Sequence, residues 1–224
     1  CVFICPYKAI EAQQLATPKI LAEKCKGCGA CALVCPYNAI EVKGFEFDNV
    51  LNCYVDVAKK LKKEGVSPLI LAFVCQWSEF PALDNPQAAL GRNVLTLEVP
   101  CFKALDPVHV FNALQNGFDG VMAAVCAPED CKLQEGKEIA ERNVTVLKNV
   151  LKKMDLQERF ELFTVHPRCM GEFEKRFEEF YKRIASMPHL KVETAEAKAH
   201  VSDSVKEGIG SEDQVSGGSC SRDC

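Results

Sequence analysis

The sequence predicts an α/β protein: a four-stranded, mostly parallel sheet with helices on both faces, preceded by a small cysteine-rich domain. Three observations predict it. From residue 68 onward, four short apolar runs alternate with segments of helical period. Three of those runs close on a cysteine: Cys75, Cys101 and Cys126. Ahead of them, a short cysteine pattern occurs twice.

The repeat carries the most information. Residues 1–13 read CVFICPYKAIEAQ and residues 31–43 read CALVCPYNAIEVK, identical at 7 of 13 positions. The second copy follows Cys25-Lys-Gly-Cys28-Gly-Ala, which completes C-x2-C-x2-C-x3-C-P across Cys25, Cys28, Cys31 and Cys35. The first copy holds only the C-x3-C-P end, Cys1 and Cys5, so the chain is expected to begin inside a two-copy unit. Three cysteines at this spacing wrap one corner of a cubane cluster. Gly27 and Gly29 let the loop turn tightly toward the sulfides. In two-cluster bacterial ferredoxins the fourth cysteine serves the other cluster. That rule puts Cys5 with Cys25, Cys28 and Cys31 around one 4Fe–4S cluster. It puts Cys35 with Cys1 and two upstream cysteines around a second, incomplete one. Zinc also uses C-x2-C, but it does not call for a third cysteine at x2, a fourth at x3 and a following proline.

Composition narrows the function classes. The 224 residues carry a net charge of −4, with 48% hydrophobic and 26% charged side chains, which is ordinary for a globular protein. No Lys/Arg block of the kind that tracks phosphates is present, so nucleic acid is not an expected partner. The longest apolar run, Leu69–Val74, is too short to span a bilayer. No long apolar stretch opens the chain as a secretion signal would. Fourteen cysteines therefore read as metal ligands in a reducing cytoplasm rather than as a disulfide scaffold, because the long helix-period segments and apolar strands can build a core without cross-links.

The elements follow in order. Residues 45–67 read as a connecting helix, with Val50, Tyr54, Val57, Ala58 and Leu61 on one face and a stop at Gly65. Cys53 inside it reads as a small packed residue. Strands are expected at Pro68–Cys75, Val94–Cys101, Gly120–Cys126 and Phe160–Val165. Asp106-Pro107 opens a helix with an N-cap and a first-turn proline, which ends at Gly117. Helices are also expected over 136–154 and 171–187. The α/β domain thus covers 68–187, behind a ferredoxin-type domain over 1–44.

In an open parallel sheet the carboxyl ends of the strands share one edge, where ligands bind. Cys75, Cys101 and Cys126 all lie there, with Cys131 in the next loop, and four thiolates on one rim suit a 2Fe–2S cluster. Cys169 reaches the same rim and is an alternative fourth ligand to Cys131. His166 could serve as in Rieske-type centres, although a histidine before proline is more often structural. Small apolar thiols also simply pack well at strand ends. The rim, far in sequence from the cubane loops, reads as a separable unit.

These residues carry a resemblance. LAFVCQWSEFPALD, the VPC at Cys101, GFDGVMAAVCAPEDC and GKEIAERNVTVLKNVL resemble the delta subunit of methyl-viologen-reducing hydrogenase over about residues 68–180. The N-terminal part resembles the two-cluster ferredoxin end of the A-type subunit of heterodisulfide reductase. The resemblance implies a 2Fe–2S cluster on Cys75, Cys101, Cys126 and Cys131. It also implies electron transfer between a hydrogenase or other dehydrogenase and a heterodisulfide reductase-type flavoprotein, with flavin upstream or in a partner protein. Two departures stand out. The family commonly has a second cysteine where this chain has Ser78, and often has histidine where it has Ala127 and Lys132.

No residue set suggests bond making: there is no activated Ser–His pair, no phosphate loop and no paired carboxylates. The competing readings are a scaffold whose α/β cysteines hold zinc or nothing, and a thiol–disulfide enzyme using Cys126 and Cys131, which lacks C-x-x-C spacing. Residues 188–224 read as a mobile tail, and Cys220 and Cys224 take no role. Deleting residues 191–224 is therefore expected to leave cluster content unchanged, checked by anaerobic iron and sulfide analysis of the shortened chain. Loss of iron would make Cys220 or Cys224 a ligand.

Overall fold

The computed structural model describes residues 1–12, 17–35, 37, 39–45, 47–78, 90–91, 93–127, 130–133, 137–165 and 170–190. His166, Cys169, Cys220, Cys224 and the expected tail from residue 191 lie outside the described residues.

Four apolar runs form one sheet: β3 (Ile70–Cys75), β4 (Val94–Val99), β5 (Gly120–Cys126) and β6 (Phe160–Val165). Its order is β4-β3-β5-β6, and every pairing is parallel. Strand β3 is central and buried along its whole length, which is why its sequence is continuously apolar rather than alternating. The edge strands β4 and β6 each expose one position and leave two partly covered. β4 stops two residues before Cys101, because Pro100 has no N–H to give the ladder. Cys101 instead caps a 3₁₀ turn over Phe102–Ala104.

Helices cover both faces, as the alternating pattern predicts. On one face lie α2 (Phe47–Lys63), α3 (Pro107–Gln115) and α4 (Lys137–Lys153). Leu51, Ala58, Val110, Leu114, Leu147 and Leu151 from these helices bury against Leu71, Phe73, Val121 and Ala123. On the other face, α5 (Met170–Ser186) sets Phe173, Phe177, Phe180 and Ile184 against Ile70, Val74, Met122 and Phe163. Phe163 meets Phe173 and Phe180 edge-on, at centroid distances of 5.4 and 6.0 Å. Helix α3 starts as its sequence predicts: Val108 N–H donates to the Asp106 carboxylate at 2.8 Å, and Asp106 N–H donates to His109 Nδ1 at 3.0 Å.

Helix α2 turns much of the expected face inward, with Val50, Tyr54, Ala58 and Leu61 in or against the core, but its centre is shifted. Leu51, Val55 and Ala58 are buried, while Val57 is 42% exposed. These buried positions are spaced i, i+4, i+7 and define the face toward the sheet. Cys53 lies off that face and is exposed, so it is not the packed residue that its helical surroundings suggest.

The cysteine-rich segment is built from short pieces: a two-stranded antiparallel ribbon of β1 (Ile10–Glu11) and β2 (Lys19–Ile20), and the one-turn helix α1 (Ala30–Leu33). Such a segment has little apolar core of its own, with Ala9, Ile10, Cys28 and Ala30 its buried apolar residues.

The amino-terminal edge of the sheet is tied by Asp119. Its carboxylate accepts from Leu69 N–H at 2.8 Å, pairs with Lys62 of α2, and meets His189 Nδ1 at 3.0 Å. Burial works against ionisation, but the His189, Lys62 and Leu69 contacts outweigh it and hold the carboxyl below its ordinary 3.8. The buried Arg159 donates to the Asp119 carbonyl at 2.8 Å, which joins β6 to the same knot. Asp119→Ala leaves Lys62 and the Leu69 N–H unpaired and is expected to cost about 2–3 kcal/mol at neutral pH, read from urea midpoints. A carboxyl with a depressed pKa stabilises the fold above its unfolded value and loses that effect as pH falls through the folded one. The difference between wild type and variant is therefore full at about pH 5 and shrinks below about pH 3.8.

Candidate functional site

The sheet order decides where ligands can gather. The chain leaves β3 for β4 on one side and returns to β5 on the other, so the connections diverge between β3 and β5. Such a switch point opens a crevice at the carboxyl edge. Cys75 ends β3 and Cys126 ends β5, the two strands between which the connections diverge, and their sulfurs are 3.6 Å apart. Cys101, two residues past β4, also hydrogen-bonds to Cys75. Cys131 lies close enough to Cys126 to raise its proton affinity electrostatically. Cys75 and Cys101 are buried; Cys126 and Cys131 are half-covered.

At the rim it is Cys75 that is arranged for thiolate. Donation from Cys101 and Cys126 holds the Cys75 thiol far below its ordinary value, and the backbone N–H groups of Trp77 and Phe102 add to this. Cys101 and Cys126 shift upward, first because each gives its proton to Cys75, then because of burial. The 3₁₀ turn explains the backbone donors: its first N–H groups have no partner inside the turn, and those of Phe102 and Lys103 face the sulfurs of Cys75 and Cys101. Ser78 closes the turn after β3 by donating its hydroxyl to the Cys75 carbonyl at 2.7 Å.

The donor chemistry fits a soft, thiophilic metal centre. Two thiolates on one tetrahedral ion at ~2.3 Å would sit about 3.8 Å apart, close to the separation of Cys75 and Cys126. Among the described residues no three donors converge on a single-ion geometry.

The cysteine-rich loop shows its repeat in three dimensions. Cys5 Sγ accepts from Ala9 N–H at 3.3 Å, and Cys35 Sγ accepts from Ala39 N–H at the same distance. The Ala39 and Tyr37 N–H groups lower the Cys35 thiol, with a smaller contribution from the α-amino group of Cys1. Cys31 shifts upward through burial first, then through the nearby Cys28 and Cys25. Cys1 and Cys25 are exposed.

The two cysteine sites meet. Cys28 and Ala30 from the loop form one buried cluster with Cys101 and Leu133 from the α/β part, with Ile4, Tyr7 and Cys131 packed against it. Gly29 caps α1 with φ +80, and a Cβ there would stand 2.7 Å from the Ala104 Cβ of the 3₁₀ turn. The rim and the cubane loop, far apart in sequence, thus pack against each other across a shared seam.

Residues 70–188, more than half of the chain, match the family described as the delta subunit of methyl-viologen-reducing hydrogenase. The chain belongs to that family. Residues 18–41 match the 4Fe–4S binding domain, so this member of the delta family carries a 4Fe–4S binding domain ahead of its sheet. It is 28% identical over 134 residues to the iron-sulfur subunit of the F420-non-reducing hydrogenase of Archaeoglobus profundus, covering 58% of this chain and 98% of that one. It is 25% identical over 130 residues to the vhc iron-sulfur subunit of the F420-non-reducing hydrogenase of Methanococcus voltae, covering 55% and 89%. Over 147 residues it is 27% identical to a subunit of the Ferredoxin/F(420)H(2)-dependent CoB-CoM heterodisulfide reductase of Methanosarcina acetivorans, covering 64% of this chain and 18% of the relative. The chain thus spans under a fifth of that reductase polypeptide. No helix among the described residues is long and apolar enough to cross a membrane.

Sequence reasoning locates the cysteines but misses what lies between them. Lys103 is one of the most deeply buried side chains, and no motif in the sequence singles it out. Gly29 reads in sequence only as a turn residue. Its contact with Ala104 separates it from Gly27, which also has positive φ but open space around it. Gly27→Ala should cost about 1 kcal/mol for its backbone conformation. Gly29→Ala should cost about 1–3 kcal/mol more, because Cβ must push the loop off the turn. Urea unfolding of the two variants, loaded under identical anaerobic conditions, measures the difference.

Proposed function

We propose that this chain is an electron-transfer module with a 4Fe–4S site on Cys5, Cys25, Cys28 and Cys31 and a 2Fe–2S site on Cys75, Cys101, Cys126 and Cys131. Cys35 and Cys1 would contribute to a second 4Fe–4S cluster that needs further ligands. Clusters at these positions supply one-electron oxidation and reduction at iron, with no bond making in a substrate. The single observation that carries the reading is the buried seam that puts Cys28 beside Cys101. Electron transfer weakens steeply with distance, and two cysteine sites sharing one dry cluster of side chains have no reason to abut if each is only a structural staple.

The chain's residues supply the surroundings. Backbone N–H groups from the turn after Cys101 stabilise thiolate at Cys75 and Cys101. Buried Leu133 and Ala30 lie between the sites and keep water from them. The domain division follows the same lines: a ferredoxin-type part over 1–44, helix 45–67, the α/β part over 68–187 and a tail. The relatives are named as subunits of hydrogenases and of a heterodisulfide reductase. On that likeness the proposed partners are hydrogenase or dehydrogenase subunits on one side and a flavin-bearing heterodisulfide reductase-type protein on the other, in the cytoplasm.

Anaerobically loaded protein is expected to hold about six irons per chain, from one 4Fe–4S and one 2Fe–2S cluster. Electron paramagnetic resonance of the reduced protein at two temperatures separates the two cluster types, since the 2Fe–2S signal persists on warming. Cys101→Ala should erase the warm signal and leave the cold one. Cys169→Ala should leave both. A colourless protein holding zinc would favour the scaffold reading.

A further inference from the structure

Lys103 is 1% exposed, and its ammonium lies at the seam between the two cysteine sites. It donates to the Tyr7 hydroxyl at 3.0 Å and to the Leu133 carbonyl at 2.8 Å, and it stands 5.3 Å from the centroid of the Tyr7 ring. Its own backbone is fixed at both ends: the N–H faces the Cys101 sulfur, and the carbonyl accepts from Asn143 Nδ2 of α4 at 3.1 Å. Among the described residues no carboxylate pairs with it.

A buried ammonium with neutral partners alone is costly, and a folded protein keeps one only where negative charge elsewhere offsets it. The charge of Lys103 reaches the rim, where it acts on the Cys101 thiol. Four thiolates and the bridging sulfides of a cluster outweigh the charge of its iron, and one-electron reduction adds a further negative charge. Tyr7 belongs to the first copy of the repeat, in Cys5-Pro6-Tyr7. Its counterpart in the second copy, Tyr37, is 87% exposed and takes no such part. The asymmetry ties Lys103 to the one copy that faces the rim.

We propose that Lys103 is a positioning residue that serves as the resident counter-charge of the rim site, anchored across the seam by Tyr7 and Leu133. This rests on the reading of the rim as a cluster site. Its fixed positive charge favours the reduced state, in which the rim holds one more electron and no proton moves. The ammonium also fastens the 4Fe–4S segment to the rim, so charge and docking come from one side chain.

The test is a redox titration of the full chain, loaded anaerobically with iron and sulfide and reduced with dithionite, following the warm 2Fe–2S signal. Lys103→Met should lower the ratio of reduced to oxidised rim cluster about tenfold at a fixed ambient potential, equivalent to a midpoint ~59 mV lower for one electron. Lys103→Arg, which keeps the charge, should stay within about twofold of wild type. A residue that only fills space would not separate the charged from the neutral variant. If Lys103→Met stays within about twofold of wild type, or Lys103→Arg falls as far as Lys103→Met, the proposal is overturned. Should Lys103→Met lose the warm signal altogether, Lys103→Gln takes its place as a neutral residue that still donates to Tyr7 and Leu133. Loss in both neutral variants with retention in Lys103→Arg shows that the charge is needed to hold the cluster, and upholds the proposal; loss in all three makes Lys103 a packing residue. A wild-type protein with no warm signal fails earlier, at the rim reading itself, and so is distinguishable from failure of the lysine.

Discussion

Parallel pairing of β3 with both β4 and β5 is the constraint on which the rest depends. Residues 70–74 of β3 are in register with both neighbours at once, and no side chain along the strand meets water. Parallel strands bring like ends together, so three chain segments far apart in sequence release their loops at one edge. Cys75, Cys101 and Cys126 are neighbours for that reason alone. At the edge where the connections of β3 and β5 diverge, the sulfurs of Cys75 and Cys126 stand 3.6 Å apart, close enough to share a proton.

The second determinant is the short turn after β4. Pro100 ends the strand, and the 3₁₀ turn that follows exposes backbone donors toward the rim sulfurs and a small side chain, Ala104, toward the cysteine-rich loop. Gly29 answers that small side chain with none at all. The close approach brings Cys28 and Cys101 into one buried cluster and lets Tyr7 reach Lys103. The loop has too few buried residues to be rigid alone; docking on the α/β part supplies the missing apolar surface. Asp119 does the equivalent work at the opposite edge, joining α2, β5 and the segment after α5 through charge and backbone contacts.

Sheet and helices are legible in the sequence because each strand is a continuous apolar run and each helix carries a 3.6-residue pattern; both periodicities survive in the structure. The departures have local causes. The β4 run reads through to Cys101 because apolar content continues there, although Pro100 interrupts the ladder. The inward face of α2 reads one position off because Val50, Tyr54 and Val57 are apolar yet lie at its flank, with Leu51, Val55 and Ala58 toward the sheet. Cys53 follows the same error.

What the sequence by itself determined is the chemistry of the donors: the spacing of Cys25, Cys28, Cys31 and Cys35, their echo in Cys1 and Cys5, and thiols at the ends of three apolar runs. Spacing within one loop is local, and local geometry follows from a few backbone dihedrals. Only the tertiary structure decided how the sites stand to each other. Nothing within a few residues of Lys103 signals that it is buried, and nothing near Cys28 signals Cys101. Those facts arise because parallel strands and a proline-ended turn fold distant segments onto one seam, and a contact across 73 positions leaves no periodicity for a sequence to show.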